Sequence, residues 1–293
     1  MQSAPNIKFC CGIILYNPSK DVVDRLAIYS EKFDRVFVYD NSRTSNEKIC
    51  SHFNNISYFF NGKNDGMSVA LNCLYLNAWE NGYDYILTMD QDTDFPKDEI
   101  QKIIDVIQSD KYKGSALFTS NWRKVYKRGQ REEYGSWKYN KDNKITVFAM
   151  TSGTFYNLHI LRKYLPLPDL FIGMVDDDIS YELLRDKKFG VMVGAAKLSQ
   201  RVGETVEATM LNKLLHKVIL SPERYYYMGR NSEYLLQKYK YERDIVSRIK
   251  KTRFRILGNL ILCETPKITK MKMWLKGIRE IKDGNLKLGK YDG

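Results

Sequence analysis

The chain has 293 residues, of which 43% are hydrophobic and 28% charged, a composition typical of a globular protein. This balance argues against wholesale disorder, a collagen-like repeat or a disulfide-rich miniprotein. The five cysteines form no C-x-x-C pair and the three histidines lie far apart, which favours buried, reduced thiols in a cytosolic protein over a zinc site. No apolar run reaches the roughly 18 residues that a spanning helix needs, and the apolar N-terminal stretch is predicted to be a strand rather than a secretion signal.

The formal net charge of +12 lies entirely in the C-terminal part of the chain. Residues 211–293 contain 20 Lys and Arg against 8 Asp and Glu, whereas the first 210 residues contain 27 of each. Such asymmetry indicates a neutral globular body with a basic arm for an anionic surface. Nucleic acid and an anionic membrane leaflet are both candidates for that surface.

Strands and helices alternate through the first 120 residues. In chain order, the predicted elements are strand 9–16, helix 21–33, strands 35–39 and 56–60, helix 66–80, strand 84–89, helix 96–108 and strand 116–120. This order predicts an α/β fold with a mostly parallel, doubly wound sheet flanked by helices.

The second half of the chain changes character. Residues 121–144 are polar and rich in Lys, Arg, Tyr and Trp, which predicts a mobile loop or a hairpin; residues 145–155 return to β character and 171–189 are predicted to be helical. From about residue 205 the pattern is helical and basic. We therefore expect a catalytic or binding domain over 1–205 and a basic helical region over 206–293.

Two of the predicted strands end in carboxylates. Strand 35–39 leads into Asp40, and strand 84–89 leads into Asp90-Gln91-Asp92. In a doubly wound sheet, ligands bind beyond the carboxyl ends of the strands. Two carboxylates at that position can hold Mg²⁺ or Mn²⁺ against a nucleotide diphosphate, where the metal would stabilise the departing charge. The alternative for the second pair is a loop that caps the next helix.

Two further loops could serve a nucleotide. Asp40 could accept from the N–H of a pyrimidine base while Asn41 serves the ribose; the alternative is an Asx turn. Asn64 and Gly66 lie where a strand leads into a helix, so the backbone could approach a phosphate at the helix N-terminus. A plain strand-to-helix connection is the alternative there.

Three adjacent acids precede a predicted helix at Asp176, Asp177 and Asp178. Acids at a helix N-terminus are favoured electrostatically, so capping is one explanation. Because adjacent carboxylates raise one another's pKa, one of them could also act as a general base on a sugar hydroxyl. Upstream, Ser152 and Gly153 offer a hydroxyl and a flexible backbone for a polyol, or form an ordinary turn.

Taken in order, these residues resemble a known family. From about Phe9 to its end, the chain is similar to the family 2 inverting glycosyltransferases of GT-A fold, within them to the bacterial rhamnosyltransferase-like branch. The resemblance rests on Tyr16-Asn17-Pro18, Val38-Tyr39-Asp40-Asn41-Ser42, Asn64-Asp65-Gly66, Met89-Asp90-Gln91-Asp92-Thr93, Thr151-Ser152-Gly153-Thr154, Phe171-Ile172-Gly173-Met174-Val175-Asp176, and Arg224-Tyr225-Tyr226-Tyr227 with Arg230-Asn231.

The resemblance implies a role for each candidate. It implies that Asp92, with Asp90, binds the metal and that Asp176 deprotonates the acceptor hydroxyl, which then displaces the diphosphate with inversion. It implies a donor site formed by Tyr16, Asn17, Asp40, Asn41, Asn64, Gly66, Asp90 and Gln91, and sugar contacts from Ser152 and Gly153. The family often has an acid at Gly173 and an Arg at Glu182, and these departures leave Asp177 and Asp178 as alternative bases.

The resemblance also implies partners. Enzymes of this branch commonly extend lipid-diphosphate-linked saccharides at the inner face of the cell membrane, which implies dTDP-L-rhamnose as donor, a lipid-linked saccharide acceptor, and a cytoplasmic, peripheral location in cell-surface polysaccharide synthesis. Residues 245–263 alternate basic and apolar side chains as an interfacial helix would. A helical subdomain that packs on the body, with a role in homodimerisation, is the alternative for the tail.

Other readings of the sequence compete with this one. A UDP-hexose, a UDP-N-acetylhexosamine or a UDP-furanose could replace the rhamnose donor. A nucleotidyltransferase would show a Gly-rich loop after the first strand, where this chain has Tyr16-Asn17-Pro18. A nucleic-acid-binding protein would use the basic tail but would leave the strand-end acids unexplained, so we expect no nucleic-acid partner.

Overall fold

The computed structural model describes residues 7–128, 131–202, 219–284 and 288–291. Within these ranges the chain forms a ten-stranded mixed sheet flanked by helices, followed by a helical C-terminal region. The predicted α/β fold with a helical extension is therefore confirmed. The predicted boundary at 205–206 lies outside the described residues.

The sheet and the helices have the following bounds. The strands are β1 Phe9–Leu15, β2 Val36–Asp40, β3 Ile56–Phe60, β4 Tyr85–Asp90, β5 Thr93–Asp94, β6 Leu117–Arg128, β7 Arg131–Tyr134, β8 Lys144–Thr146, β9 Thr154–Asn157 and β10 Gly190–Val202. The helices are α1 Val22–Lys32, α2 Glu47–Cys50, α3 Gly66–Glu80, α4 Lys97–Gln108, α5 Leu158–Leu161, α6 Val175–Arg185, α7 Pro222–Lys238, α8 Arg243–Cys263 and α9 Lys267–Lys282, with a 3₁₀ turn at Arg162–Tyr164.

The first four strands of the sheet are parallel, in the order β3-β2-β1-β4. At the carboxyl end of the central strand β1, Leu15 pairs with Asp40 of β2, and Ile14 pairs with Asp90 of β4. Neighbouring strands lie about 4.8 Å apart, so the two acids flank β1 at one edge of the sheet. The sequence prediction that both strands end in carboxylates at this edge is confirmed.

Beyond β4 the sheet becomes mixed. Strand β9 runs antiparallel between β4 and β6, and the long strand β10 pairs parallel with β6. The predicted hairpin in 121–144 is present as β6 and β7. Sequence reasoning missed β10, in which the pairing with β6 shifts register between Val193 and Lys197. The end of β10 pairs with β5, so it supports the loop that follows β4.

Both faces of the sheet are covered by apolar clusters. Helices α1 and α4 pack on one face through side chains such as Leu26 and Ile103, and α3 and α6 cover the other through side chains such as Leu74 and Ile179. The near-continuous apolar runs of the parallel strands follow from this burial on both faces.

The C-terminal helices pack onto the body through α7. Arg230 and Asn231 are buried, and both donate to the backbone carbonyl of Leu170 (2.9 and 3.0 Å). A Cβ on Gly229 would lie 2.3 Å from the carbonyl oxygen of Trp274, and one on Gly277 would lie 2.3 Å from that of Tyr226, so α7 and α9 touch backbone to backbone. Among the described helices, none is long and apolar enough to span a bilayer.

Candidate active site

Gln91 joins the loop after β4 to the loop after β1. Its Oε1 accepts from the backbone N–H of Tyr16 (2.8 Å), and its Nε2 donates to the backbone carbonyl of the same residue (2.9 Å). These two bonds fix the backbone of Tyr16 beside the acids that flank Gln91. The middle residue of the Asp90-Gln91-Asp92 motif therefore acts as a brace in this structure.

Arg25 of α1 also binds the loop that follows β4. Its buried guanidinium donates to the Asp94 carboxylate (2.9 Å), to the backbone carbonyl of Gln91 (3.0 Å) and to the Asp21 carboxylate (2.9 Å). Charge-assisted bonds from a rigid, planar group fix direction as well as distance. The carboxyl end of β4 is thus held at several points before any ligand binds.

Ser152 and Gly153 support Asp90 from the β9 side. The Ser152 hydroxyl accepts from the backbone N–H of Asp90 (3.0 Å) and donates to the Thr93 hydroxyl (3.0 Å). Gly153 has φ +78°, and a Cβ there would lie 2.1 Å from Leu198 Cδ1. Ser152 thus positions Asp90 directly, whereas Gly153 packs closely on β10 and donates its N–H to the Thr88 carbonyl of β4 (2.8 Å). Their predicted contact with sugar stays a prediction.

The braced loop forms one wall of a cavity of about 380 Å³, which we call the acidic cavity. Three carboxylates converge on it from β4, from the loop that follows it and from α6. Its polar lining consists of Tyr16, Asp90, Gln91, Asp92, Thr151, Asp176 and Arg224. The structure therefore brings five of the predicted site residues to one cavity.

The convergence of carboxylates alters their ionisation. Burial, together with the charges of Asp92 and Asp176, raises the pKa of Asp90 to about 7. Burial likewise raises the pKa of Asp176 above the usual range for Asp. Groups with such raised pKa values, gathered in one cleft, are typical of catalytic sites.

The predicted base-binding residue Asp40 is buried beneath this edge. Its carboxylate accepts from Tyr58 (2.6 Å), from the backbone N–H of Ser42 (2.9 Å) and from Asn46 (2.9 Å). Burial raises its pKa, but the hydrogen bonds from Ser42, Tyr58 and Asn46 outweigh that effect and leave the pKa below the usual range. Asp40 thus orders the 41–46 loop; contact with a base stays a prediction.

The other predicted donor residues bind one another. Asn41 accepts from the Asp65 N–H (3.1 Å) and donates to the Gly66 carbonyl (3.1 Å), while the Gly66 N–H donates to Asn64 (2.9 Å). The Asn17 N–H donates to the Ser42 hydroxyl (2.7 Å). Asn17, Asn41, Asn64 and Gly66 are not among the described residues that line the acidic cavity, although Asn17 and Gly66 adjoin Tyr16 and Met67, which do line it.

The three acids at the start of α6 diverge. Asp176 lines the acidic cavity and also a second cavity, whereas Asp177 lines only the second. Asp178 is buried and lines neither; its carboxylate binds Lys238 Nζ (2.7 and 2.9 Å) and the Tyr239 hydroxyl (2.8 Å). The structure therefore separates Asp178 from the other two acids and gives it a structural ion pair.

The second cavity, which we call the basic cavity, has a volume of about 540 Å³. In the described part of the chain, five cationic side chains line it: Lys138, Lys144, Arg248, Lys251 and Arg255. Aromatic side chains lie between the cations: Trp122, Tyr139, Phe148 and Tyr181. Sequence reasoning missed this cavity, although Arg248, Lys251, Thr252 and Arg255 recur at intervals of three and four residues, which predicts one face of a helix.

Arg224 is a cation of the acidic cavity that was not among the site residues predicted from the sequence. It follows Ser221, whose side chain caps the first turn of α7, and it lines the acidic cavity. A cation that faces three carboxylates across a cavity is suited to a ligand that carries negative charge. Its place at the start of the Arg224-Tyr225-Tyr226-Tyr227 motif was the available signal.

The acids fit a divalent cation only in part. Within the described ranges, no cluster of three His, Cys, Asp or Glu side chains could hold a metal unaided. Asp90 and Asp92 nevertheless face the same cavity. Because Mg²⁺ retains several waters and is commonly held by one or two carboxylates together with phosphate oxygens, the pair fits a cation that binds jointly with a diphosphate.

Solved structures resemble this arrangement. The crystal structure of S. aureus TarS 1-349 is 14% identical to the chain with a TM-score of 0.59, and covers 95% of this chain and 83% of TarS 1-349. The same protein in complex with UDP gives a TM-score of 0.58 at the same identity and coverage. GalNAc-T7 with UDP, GalNAc and Mn2+ is 11% identical, with a TM-score of 0.52. That match covers 78% of this chain, which spans about half the length of GalNAc-T7.

These likenesses show a shared fold, and the expected GT-A fold is confirmed. No curated protein matches the chain. The sequence profile described as glycosyl transferase family 2 matches residues 14–165. That segment contains Asp40, Asp90, Asp92 and Ser152, and ends before the acids of α6. Because the match extends over more than half of the sequence, the chain belongs to glycosyl transferase family 2.

Proposed function

We propose that the protein is an inverting, metal-dependent glycosyltransferase that moves a sugar from a nucleotide donor to a saccharide hydroxyl. One observation supports this most strongly: Asp176 lines the acidic cavity and the basic cavity at once. A transferase needs one group that reaches donor and acceptor together. No other acid in the described ranges lines both cavities.

The acidic cavity is the proposed donor site. The diphosphate would lie between Arg224 and the Asp90-Gln91-Asp92 loop, with the base towards Tyr16. Asp90 and Asp92 would hold Mg²⁺ or Mn²⁺ against the diphosphate, and the cation would supply charge stabilisation for the leaving group. The braces from Gln91, Arg25 and Ser152 would keep these carboxylates in place, and such preorganisation lowers the barrier because little rearrangement accompanies the reaction.

The basic cavity is the proposed acceptor site. In the transfer step, the acceptor hydroxyl gives its proton to the Asp176 carboxylate, and its oxygen bonds to the anomeric carbon. The bond from that carbon to the diphosphate oxygen breaks, and its electron pair stays on the diphosphate. Attack from the face opposite the leaving group inverts the configuration. The raised pKa of Asp176 suits a general base that must accept a proton near neutral pH.

The leading donor is dTDP-L-rhamnose, which rests on the similarity of the ordered motifs to the rhamnosyltransferase-like branch. A UDP-sugar is the second candidate, because the TarS and GalNAc-T7 structures are complexes with UDP. The proposed acceptor is a lipid-linked saccharide in cell-surface polysaccharide synthesis.

The C-terminal helices carry the proposed membrane contact, at the inner face of the cell membrane. Five apolar side chains of α8 and α9 are exposed: Phe254, Ile261, Leu262, Ile268 and Leu275. Lysines at 267 and 272 belong to α9, so this region combines exposed apolar and cationic groups, as interfacial helices do. A dimer contact through the same apolar side chains is the alternative.

Thermal stability against a nucleotide panel tests the proposed function. The panel contains dTDP-rhamnose, dTDP, UDP, UDP-glucose, UDP-GlcNAc and ATP, each with and without Mn²⁺. A ligand that binds only the native state raises stability by RT ln(1 + [L]/Kd). We expect a metal-dependent rise with dTDP or UDP compounds and none with ATP. A flat response from folded protein would overturn the proposal.

A further inference from the structure

We propose that the basic cavity is an anion subsite, and that the acceptor is a phosphate-bearing saccharide. Its phosphate would lie against Arg248, Lys251 and Arg255 of α8, while its reactive hydroxyl points towards Asp176. The orientation towards Asp176 rests on the proposed function. The recognition of phosphate rests on the cavity alone.

The cations of α8 form a continuous row. Arg248, Lys251 and Arg255 are exposed and follow one another at intervals of three and four residues, so they share the face of α8 that lines the cavity. Within the part of the chain that the structure describes, no carboxylate lies within ion-pair distance of any of them. The contact that Arg255 does make, to Thr252 at 3.5 Å, leaves its charge unneutralised.

The opposite wall adds two more cations on aromatic faces. Lys138 Nζ lies 4.5 Å from the ring centroid of Trp122, and Lys144 Nζ lies 5.3 Å from that of Tyr139. On the α8 side, the Arg248 guanidinium lies 4.8 Å from the ring centroid of Phe148. Stacking on aromatic rings orients a cation without cancelling its charge. Both walls therefore present positive charge to the space between them.

Elsewhere in the C-terminal helices, cations are paired where they hold the fold together. Arg253, on another face of α8, binds Glu233 at 2.8 Å, and the buried Lys270 binds Glu264. The basic cavity differs, because among the described residues five cations line it against two acids, Asp176 and Asp177. Like charges gathered without partners repel one another, and a bound anion relieves that repulsion.

Phosphate is the anion that this lining fits best. Two guanidinium groups offer forked donors that match phosphate oxygens, and the lysine between them adds a point charge. The rings of Trp122 and Tyr139 offer flat apolar surfaces for a sugar ring. A phosphodiester within a polymer and the diphosphate of a lipid carrier share this chemistry.

Calorimetric titration at low ionic strength tests the subsite in the full-length protein. The probes are glucose 6-phosphate, neutral glucose, and farnesyl diphosphate as a lipid-borne diphosphate, each with and without saturating UDP. Three proteins are compared: wild type, the double variant Lys251→Gln/Arg255→Gln, and the matched control Arg243→Gln/Lys250→Gln. The control removes the same charge from exposed positions on α8 that do not line the cavity.

We expect glucose 6-phosphate to bind at least about tenfold more tightly than glucose, and the cavity variant to lose about tenfold of that affinity, since charge complementarity of this kind is worth a decade or more. The affinity of the control variant for glucose 6-phosphate should stay within about twofold of the wild-type value. If farnesyl diphosphate binds more tightly than glucose 6-phosphate and the cavity variant loses that binding, the recognised phosphate belongs to a lipid carrier. If glucose 6-phosphate binds more tightly, the recognised phosphate belongs to the saccharide.

Two results would overturn the subsite: equal affinities for glucose and glucose 6-phosphate, or an equal loss in the control variant. UDP binding keeps this test separate from the proposed function. If UDP binds all three proteins alike while phosphate is not preferred, the subsite fails and the donor site stands. If UDP does not bind but the cavity variant still loses glucose 6-phosphate, the donor assignment fails and the subsite stands.

Discussion

The acidic cavity and the basic cavity share Asp176 but are built in different ways. The acidic cavity lies at the ends of hydrogen-bonded strands, and its loops are braced by Gln91, Arg25 and Ser152. The basic cavity lies between a hairpin region and α8, and its cations make few polar contacts with the rest of the protein. Under the proposed function, the donor is therefore bound at the end of the sheet and the acceptor is chosen by the helical region.

Asp176→Asn should have the largest effect on activity, because the side chain serves both cavities. Loss of a general base typically lowers kcat by about 10²–10⁴-fold. We expect such a loss in a transfer assay, with UDP or dTDP affinity within about twofold of wild type. Asp177→Asn, which changes the neighbouring acid of the basic cavity alone, is the matched control. Transfer at the wild-type rate by the Asp176 variant would place the base elsewhere.

Lys238→Met should have the largest effect on stability. It removes the cation that binds Asp178 and Glu182. The buried Asp178 carboxylate then loses its counter-charge and keeps the Tyr239 hydroxyl, whereas Glu182 keeps its ion pair with Arg185. Breaking a buried ion pair from one side costs about 3–5 kcal/mol. Urea unfolding would measure the loss in the free energy of unfolding. Lys240→Met, which replaces an exposed lysine, is the control. Equal stability of the two variants would mean that the third acid of α6 is not held in this way.

Asp92→Asn should separate the two cavities. Since Asp92 lines only the acidic cavity, we expect Mn²⁺-dependent affinity for the donor nucleotide to fall about 10–100-fold. Affinity for glucose 6-phosphate in the basic cavity should not change. Titrations with and without Mn²⁺ would show this, and a parallel loss of both ligands would mean that the two cavities are one site.

Asp90→Asn should have a smaller effect, visible in the pH dependence of stability. The pKa of Asp90 is about 7 in the folded protein against 3.8 for an ordinary Asp, so between these values the native state binds the extra proton. The wild-type free energy of unfolding therefore falls as pH rises through this range, and the penalty is complete above pH about 7. The Asn variant has no carboxylate to ionise at this position. Its free energy of unfolding should therefore exceed that of wild type by about 1–3 kcal/mol above neutral pH, and should equal it below pH about 4.

Urea unfolding at acid and alkaline pH measures this gain. The exposed Asp34→Asn variant controls for the substitution itself. A gain at alkaline pH in both variants, or in neither, would contradict the assignment of an ionisation cost to the acidic cavity.

Sequence reasoning predicted the parallel half of the sheet well, because apolar runs and strand-end acids are local patterns. Helix α3 and strand β3 were predicted with the bounds that the structure shows. Strand β10 was missed: its irregular pairing with β6 depends on distant contacts that no local pattern reveals. The basic cavity was missed for the same reason, since β6, β8 and α8 meet only in three dimensions.

The acids of α6 show how far a motif can be resolved without a structure. Their adjacency predicted mutual effects on pKa, but nothing local distinguished Asp176 from Asp178. The distinction comes from Lys238 and Tyr239, about sixty residues further along the chain, whose side chains engage Asp178. Gln91 is the converse case, since a residue expected to contact the donor braces the backbone of Tyr16 in the structure.

Helix α7 has a consequence for protein engineering. Its first turn brings Arg224 to the acidic cavity, its middle binds the Leu170 carbonyl through Arg230, and its last residue, Lys238, holds Asp178. A chimera that exchanges C-terminal regions between relatives to alter acceptor choice should therefore join the chains after α7. A junction before α7 would remove the contacts that keep the start of α6 in place. With a junction after α7, α8 can be exchanged between relatives.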